Sequence, residues 1–169
     1  RDSTQQPNKW ERLGNRFHNK TKSEVVRRLL LFDPYTPLDS IKMKETARVL
    51  RSQYHIRRVY IQPVATHSAD SVDIRVNVLD SWSLYADAMG SLNEGTVRVF
   101  ERNFLGLGHQ LSGRYSQEIR GSTRPSFGFD YEIPNLYATT LNASVGYSMD
   151  FDKYYYKYGS LSRPYYSLY

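Results

Sequence analysis

Ser-Phe-Gly-Phe-Asp-Tyr-Glu-Ile at residues 126–133 and Leu-Asn-Ala-Ser-Val-Gly-Tyr-Ser-Met-Asp-Phe at residues 141–151 decide the fold. In the first, Phe127, Phe129, Tyr131 and Ile133 alternate with Ser126, Gly128, Asp130 and Glu132. In the second, Leu141, Ala143, Val145, Tyr147, Met149 and Phe151 alternate with Asn142, Ser144, Gly146, Ser148 and Asp150. A period of two is that of a strand with unlike faces. Pro134-Asn135 between them reads as a tight turn. Upstream, Leu111, Gly113, Tyr115 and Ile119 interleave with Ser112, Arg114, Ser116 and Glu118.

A soluble sandwich alternates in the same way, but two details favour a membrane barrel. The segments run about 9–11 residues, enough for a tilted strand to cross a bilayer, with one face apolar and the other suited to a wet lumen. Tyr137, Tyr154, Tyr155, Tyr156, Tyr158, Tyr165, Tyr166 and Tyr169 gather near segment ends, as an aromatic girdle would.

Composition agrees. The chain has 169 residues, a net charge of +6 and 40% hydrophobic residues, and its mean hydropathy is −0.63. No run approaches the ~18–20 apolar residues of a spanning helix, which leaves strands as the way across. With no cysteine, neither a disulfide framework nor a thiolate metal site is available. The fifteen tyrosines lie mostly in the second half, whereas Lys and Arg are densest in the first third. That shift implies two regions in different solvents. The polar opening Arg1-Asp2-Ser3-Thr4 carries no signal peptide and reads as a mature or truncated start.

The first region reads as a small α+β domain. Residues 1–9 form a polar linker. A short strand is expected from Trp10 to Leu13, with a turn at Gly14-Asn15. Thr21 and Glu24 have the spacing of a capping box, and Val25, Val26, Leu29 and Leu30 share one helical face until Asp33-Pro34 ends the helix. Asp39 caps a second helix, in which Met43, Ala47, Leu50 and Tyr54 recur at helical spacing. Val59 and Ile61 then alternate with Tyr60 and Gln62 in a strand ended by Pro63. Val72, Ile74, Val76 and Val78 alternate with polar residues in the next strand. The order is strand, helix, helix, strand, strand.

This order resembles the POTRA domain over residues 10–81. The residues that carry the likeness are Gly14-Asn15-Arg16-Phe17, Leu29-Leu30-Leu31-Phe32, Pro37-Leu38-Asp39, Glu45-Thr46, Leu50-Arg51-Ser52, Tyr54 and the strand from Val72 to Val78. The front departs from it, since Pro7-Asn8-Lys9-Trp10-Glu11 is not apolar. Asp80-Ser81-Trp82-Ser83-Leu84 resembles the link from the last POTRA domain into the barrel in the BamA/TamA outer-membrane insertase superfamily. Asn103-Phe104-Leu105-Gly106-Leu107-Gly108 is similar to that superfamily's turn between early strands, in which two glycines permit a close turn and Phe104 anchors it. The superfamily's late Arg-Gly-aromatic motif is absent, and Ile119-Arg120-Gly121-Ser122 reads as a turn. Residues 82–169 are then the first strands of an outer-membrane barrel. The pattern gives about five strands, against about eight in the smallest single-chain barrels, so further strands are expected outside this sequence.

Catalysis finds little support. His18, His55, His67 and His109 share no ligand spacing and read as surface or helix-end residues. Gly146-Tyr147-Ser148-Met149-Asp150 lacks the closing glycine of a nucleophile elbow and sits mid-strand. Asp130, Glu132 and Asp150 are explained as lumen-facing groups. The basic residues Arg27-Arg28, Arg48, Arg51 and Arg57-Arg58 accompany no nucleic-acid motif and read as a solvated face, available to acidic proteins or lipid headgroups. No enzyme activity, metal, cofactor or nucleic-acid partner is expected.

The resemblance implies an insertion or translocation factor of the Gram-negative outer membrane, with its POTRA domain in the periplasm. Its partners would be unfolded outer-membrane or secreted clients, periplasmic chaperones, accessory lipoproteins and outer-membrane lipid. A client segment would add to the strand edge at Val59, Tyr60, Ile61 and Gln62. The first barrel strand, with Leu84, Ala86, Ala88 and Gly90, would form a weak lateral seam. Asn103, Phe104, Gly106 and Gly108 would build the turn. Two other readings share the layout: a two-partner-type secretion pore for one dedicated substrate, and a barrel that anchors an upstream enzyme domain.

Overall fold

A computed structural model describes residues 19–68, 70–120, 124–136, 139 and 141–163. The expected linker and the strand from Trp10 to Leu13 lie outside these residues, as do Gly14-Asn15-Arg16-Phe17, Tyr137, Tyr165, Tyr166 and Tyr169.

The first helix, α1 (Ser23–Arg28), is shorter than its apolar pattern suggests and lacks the expected capping box. Its N-cap is Lys22, which makes no side-chain cap bond. Thr21 instead donates its N–H and hydroxyl to the two carboxylate oxygens of Asp80, at 2.9 and 2.7 Å. Glu24 accepts a bond from its neighbour Ser23. A charged acceptor supplied by the tertiary fold has displaced the local one. The helix stops at the C-cap Leu29, before Asp33-Pro34 is reached.

The second helix, α2 (Ser40–Arg51), begins where Asp39 accepts from the N–H groups of Ile41 and Lys42. It buries Thr46, Ala47 and Leu50. Tyr54, four residues past Leu50, lies beyond the helix and is exposed.

Strand β1 (Ile56–Ala65) pairs antiparallel with β2 (Val72–Asp80), with Val59 opposite Val78 and Ile61 opposite Val76. Pro63 does not end β1; it pairs with Ile74 inside the strand. Among the described residues β1 has a neighbour on one side only, and an edge strand can seat a proline whose missing N–H is not required. Leu29, Ala47, Leu50, Ile56 and Val59 form the core, flanked by Val26, Leu30, Val49, Ile61, Val76 and Val78. Both helices thus cover one face of one hairpin.

Three residues after β2 the chain enters a second sheet, six-stranded among the described residues. Its strands are β3 (Leu84–Gly90), β4 (Glu94–Phe104), β5 (His109–Glu118), β6 (Pro125–Ile133), β7 (Asn142–Met149) and β8 (Tyr155–Ser162). They lie in sequence order, each antiparallel to the next. This is one strand more than the pattern suggested. The addition is β8, which contains Tyr155, Tyr156 and Tyr158, expected at segment ends. Tyr is amphipathic enough to occupy both faces of a strand, so a Tyr-rich run hides its period.

Register assigns the faces. Val97, Tyr115, Phe127, Met149 and Tyr155 form one continuous row across five strands, and Val99, Gly113, Phe129, Tyr147 and Lys157 form the next. The ring of Tyr147 lies 5.9 Å from Phe127, 6.0 Å from Phe129 and 6.5 Å from Tyr155. The opposite face is polar: Thr96 bonds Ser116 at 2.8 Å, Ser144 bonds Ser160 at 2.7 Å, and the Tyr158 hydroxyl donates to Asp130 at 2.7 Å. Gly146 makes room for that Tyr158 ring, which lies where a Cβ would project. An apolar face backed by a polar one is the pattern of barrel strands between lipid and lumen. No helix among the described residues is long and apolar enough to cross a membrane.

Candidate functional site

The antiparallel order brings the start of β3, the β4–β5 turn and the β6–β7 connection to one end of the sheet, the end that meets the helical unit. The β4–β5 turn is built from the predicted residues Asn103, Phe104, Gly106 and Gly108. Leu105, Gly106 and Gly108 have φ of 56°, 73° and 70°. Glycine adopts this left-handed backbone readily, whereas Leu105 does so at a cost. Phe104 anchors the turn edge-on against Tyr131, with ring centroids 6.1 Å apart.

Asn103 reaches further. It is 1% exposed, and its amide nitrogen donates to the Asn19 carbonyl and the Thr21 hydroxyl, both at 3.0 Å. Its side-chain oxygen accepts from the Gly108 N–H at 2.9 Å. Lys22 N–H then donates to the Gly106 carbonyl at 2.9 Å. Both glycines sit where a side chain would not fit. A Cβ on Gly106 would run into the Lys20 carbonyl, and one on Gly108 would lie 2.9 Å from His55 Cε1. The predicted turn is therefore also a clasp between the sheet and the entry to α1.

Thr21 and Asp80 complete the clasp, so the chain runs Asn19–Asn103–Thr21–Asp80 across the joint. Beside it, Ser81 donates its N–H to the His55 carbonyl at 2.9 Å and its hydroxyl to the Tyr54 carbonyl at 3.0 Å. The Arg102 guanidinium lies 5.2 Å from the ring centroid of Tyr54 and 4.9 Å from that of Tyr85. His55 is 3% exposed, and burial holds its imidazole below the usual histidine range, opposed in part by Asp80. Thr21, His55 and Arg102 are the residues that sequence reasoning missed. Thr21 had a competing reading as a cap, and His55 and Arg102 carry no local signal.

The predicted client strand divides. Val59 is buried in the core and Ile61 packs against it, while Tyr60 and Gln62 are exposed. The side chains of the four therefore do not form one surface, although the backbone edge of β1 is free of strand partners among the described residues. Arg51 already approaches the Val59 carbonyl at 3.4 Å.

The predicted seam residues Leu84, Ala86, Ala88 and Gly90 stand on the apolar face, opposite Glu101, Val99, Val97 and Gly95. Strand β3 pairs only with β4 among the described residues. A Cβ on Gly90 would meet nothing within 4 Å. On the polar face, Arg98 Nε and Nη2 hold the Asp87 carboxylate at 2.9 and 3.0 Å. Among the described residues no three His, Asp or Glu side chains group as a metal site.

No protein-family model matches the chain, nor does any curated protein. Among solved structures it is similar to the crystal structure of BamA from Haemophilus ducreyi lacking POTRA domains 1-3. The TM-score is 0.60 and the identity 18%, over 80% of this chain and 26% of that one. This chain thus spans about a quarter of the relative's length. At that identity the likeness shows the fold, a BamA-like barrel sheet of antiparallel strands.

Proposed function

We propose, from that barrel fold, that the chain is the front portion of a Gram-negative outer-membrane factor that inserts or translocates other proteins. Residues 82–169 would be the first barrel strands, and residues 10–81 a POTRA-type unit on the periplasmic side. The observation that carries this reading is β3. It opens a BamA-like sheet, has strand pairing on one side only among the described residues, and presents small side chains on the apolar face.

A seam packed by Ala86, Ala88 and Gly90 buries little apolar area, so it separates at low cost compared with a seam of large residues. An opened seam offers backbone donors and acceptors to an incoming strand inside lipid, where unpaired groups are costly. Client folding and burial of its apolar face supply the free energy. The free edge of β1 suits capture of an extended segment upstream of that event, through backbone bonds that tolerate varied sequences.

The test uses the native protein reconstituted in liposomes with a urea-unfolded eight-stranded barrel as client. Folding of the client, read by its faster migration without boiling, should accelerate several-fold over protein-free liposomes. A disulfide that ties the free side of β3 to the strand that would close the barrel against it should abolish the gain. Client folding at the protein-free rate, with the native protein itself correctly folded, would reject the reading.

A further inference from the structure

The apolar face of the six strands is not smooth. Near the joint it carries a cleft of about 520 Å³, within the range of about 300–1,000 Å³ usual for ligand clefts. Leu84, Val99, Phe104, Leu111, Gly113 and Phe129 give it an apolar lining. Gly113 makes the trough. It lies between Val99 and Phe129 in one cross-strand row, and a Cβ there would meet nothing within 4 Å. The next row towards the joint runs Leu84, Glu101, Leu111. A carboxylate therefore stands among apolar side chains at the joint end of the cleft, and Asn19 closes that end.

Glu101 breaks the apolar pattern of this face. Its Oε1 accepts from the Asn103 N–H at 2.8 Å, and among the described residues it forms no ion pair. A carboxylate on a lipid-facing surface is tolerated near the water boundary or beside a cation. The cleft offers no backbone edge to a peptide, because β4, β5 and β6 are each paired on both sides. It offers an apolar trough with a charged acceptor at its outer end. An amphiphile with a cationic head and an apolar tail complements that arrangement.

We infer that this cleft holds an acyl chain of a phospholipid whose primary ammonium headgroup pairs with Glu101. The inference rests on the reading of the sheet as an outer-membrane barrel with the helical unit on the periplasmic side. That orientation puts Glu101 at the periplasmic boundary of the membrane and Gly113 one row deeper. Head and tail then meet the cleft in the order in which the periplasmic leaflet presents them. A primary ammonium donates charge-assisted hydrogen bonds to a carboxylate, whereas the quaternary ammonium of choline has no N–H to donate.

Native mass spectrometry of the whole native protein in neutral-detergent micelles tests the site. Dioleoyl phosphatidylethanolamine is titrated against dioleoyl phosphatidylcholine, which has the same tails. Faster migration without boiling, checked on the same samples, reports the closed barrel independently of lipid. Phosphatidylethanolamine should bind saturably and at least about tenfold more tightly than phosphatidylcholine. Glu101→Gln keeps an acceptor for the Asn103 N–H but removes the charge, and should weaken binding at least about tenfold. Gly113→Leu fills the trough and should weaken binding as much. Should Glu101→Gln not fold, the lipid comparison and Gly113→Leu carry the test. Equal binding of the two lipids, or undiminished binding in either folded variant, overturns the proposal. No lipid uptake by a protein that still migrates as a closed barrel overturns this site alone, and a protein that lacks that migration overturns the barrel reading with it.

Discussion

At the scale of single residues, the joint depends on two glycines whose roles differ from those of glycines elsewhere in the sheet. Gly106 combines a left-handed φ with a neighbouring carbonyl that excludes any Cβ, and its own carbonyl receives Lys22. A left-handed backbone costs a non-glycine residue roughly 1–2 kcal/mol, before the displaced contact is counted. Gly106→Ala should therefore lower the hydrogen-exchange protection of the Lys22 and Gly108 amides at least about tenfold, since each factor of ten corresponds to about 1.4 kcal/mol. Amides in the middle of β6 and β7 should keep theirs. Gly113→Ala is the matched control, because a Cβ there meets nothing within 4 Å. Equal behaviour of the two variants would refute the clasp.

At the scale of elements, β3 is an edge strand of the described sheet with little apolar packing. Its apolar face opposes Val99 and Val97 with alanines, and the Asp87–Arg98 pair is about half exposed, so it contributes no more than about 1 kcal/mol. Replacing Ala86 and Ala88 together by Ile adds two cross-strand β-branched pairs, each worth roughly 0.2–1 kcal/mol. Protection of the amides from Tyr85 to Met89 should rise several-fold in the double variant. Unchanged exchange would mean that β3 is not limited by its packing, and the seam argument would lose its basis. The same physics explains what the sequence made legible. Alternation from Phe127 to Met149 and the Asp39 cap depend on neighbours within a few residues, so they were readable directly. Thr21 was misread because its partner, Asp80, is 59 residues away, and a capping box three residues long could not reveal it. Pro63 was misread because the rule that breaks strands assumes two neighbours. β8 was missed because tyrosine fits either face. At the candidate site, the glycines and Asn103 were recognisable as a turn, but nothing local showed that the turn grips Asn19 and Lys22.

At the scale of the whole molecule, the helical unit and the barrel-like sheet are joined by a short covalent link and by buried polar contacts, with the buried His55 ring beside Gly108 next to them. Buried polar contacts make the joint sensitive to charge in a way that an apolar joint would not be. His55 has a folded-state pKa lowered from its ordinary value near 6.5, because burial disfavours the imidazolium more than Asp80 favours it. The unfolded or undocked state therefore binds the proton more readily than the docked one. Docked stability is fully present above about pH 6.5 and declines as pH falls from there towards the folded pKa, below which the loss is complete. Hydrogen exchange of the Lys22 and Gly108 amides, corrected for intrinsic rates, should consequently be faster at pH 5.5 than at pH 7.5. His55→Gln, which cannot titrate, should flatten the difference while leaving that in β6 and β7 unaltered. A variant that keeps the full pH dependence would assign the effect to another group, and a joint indifferent to pH would mean that His55 takes up its proton without disturbing the Asn103 contacts.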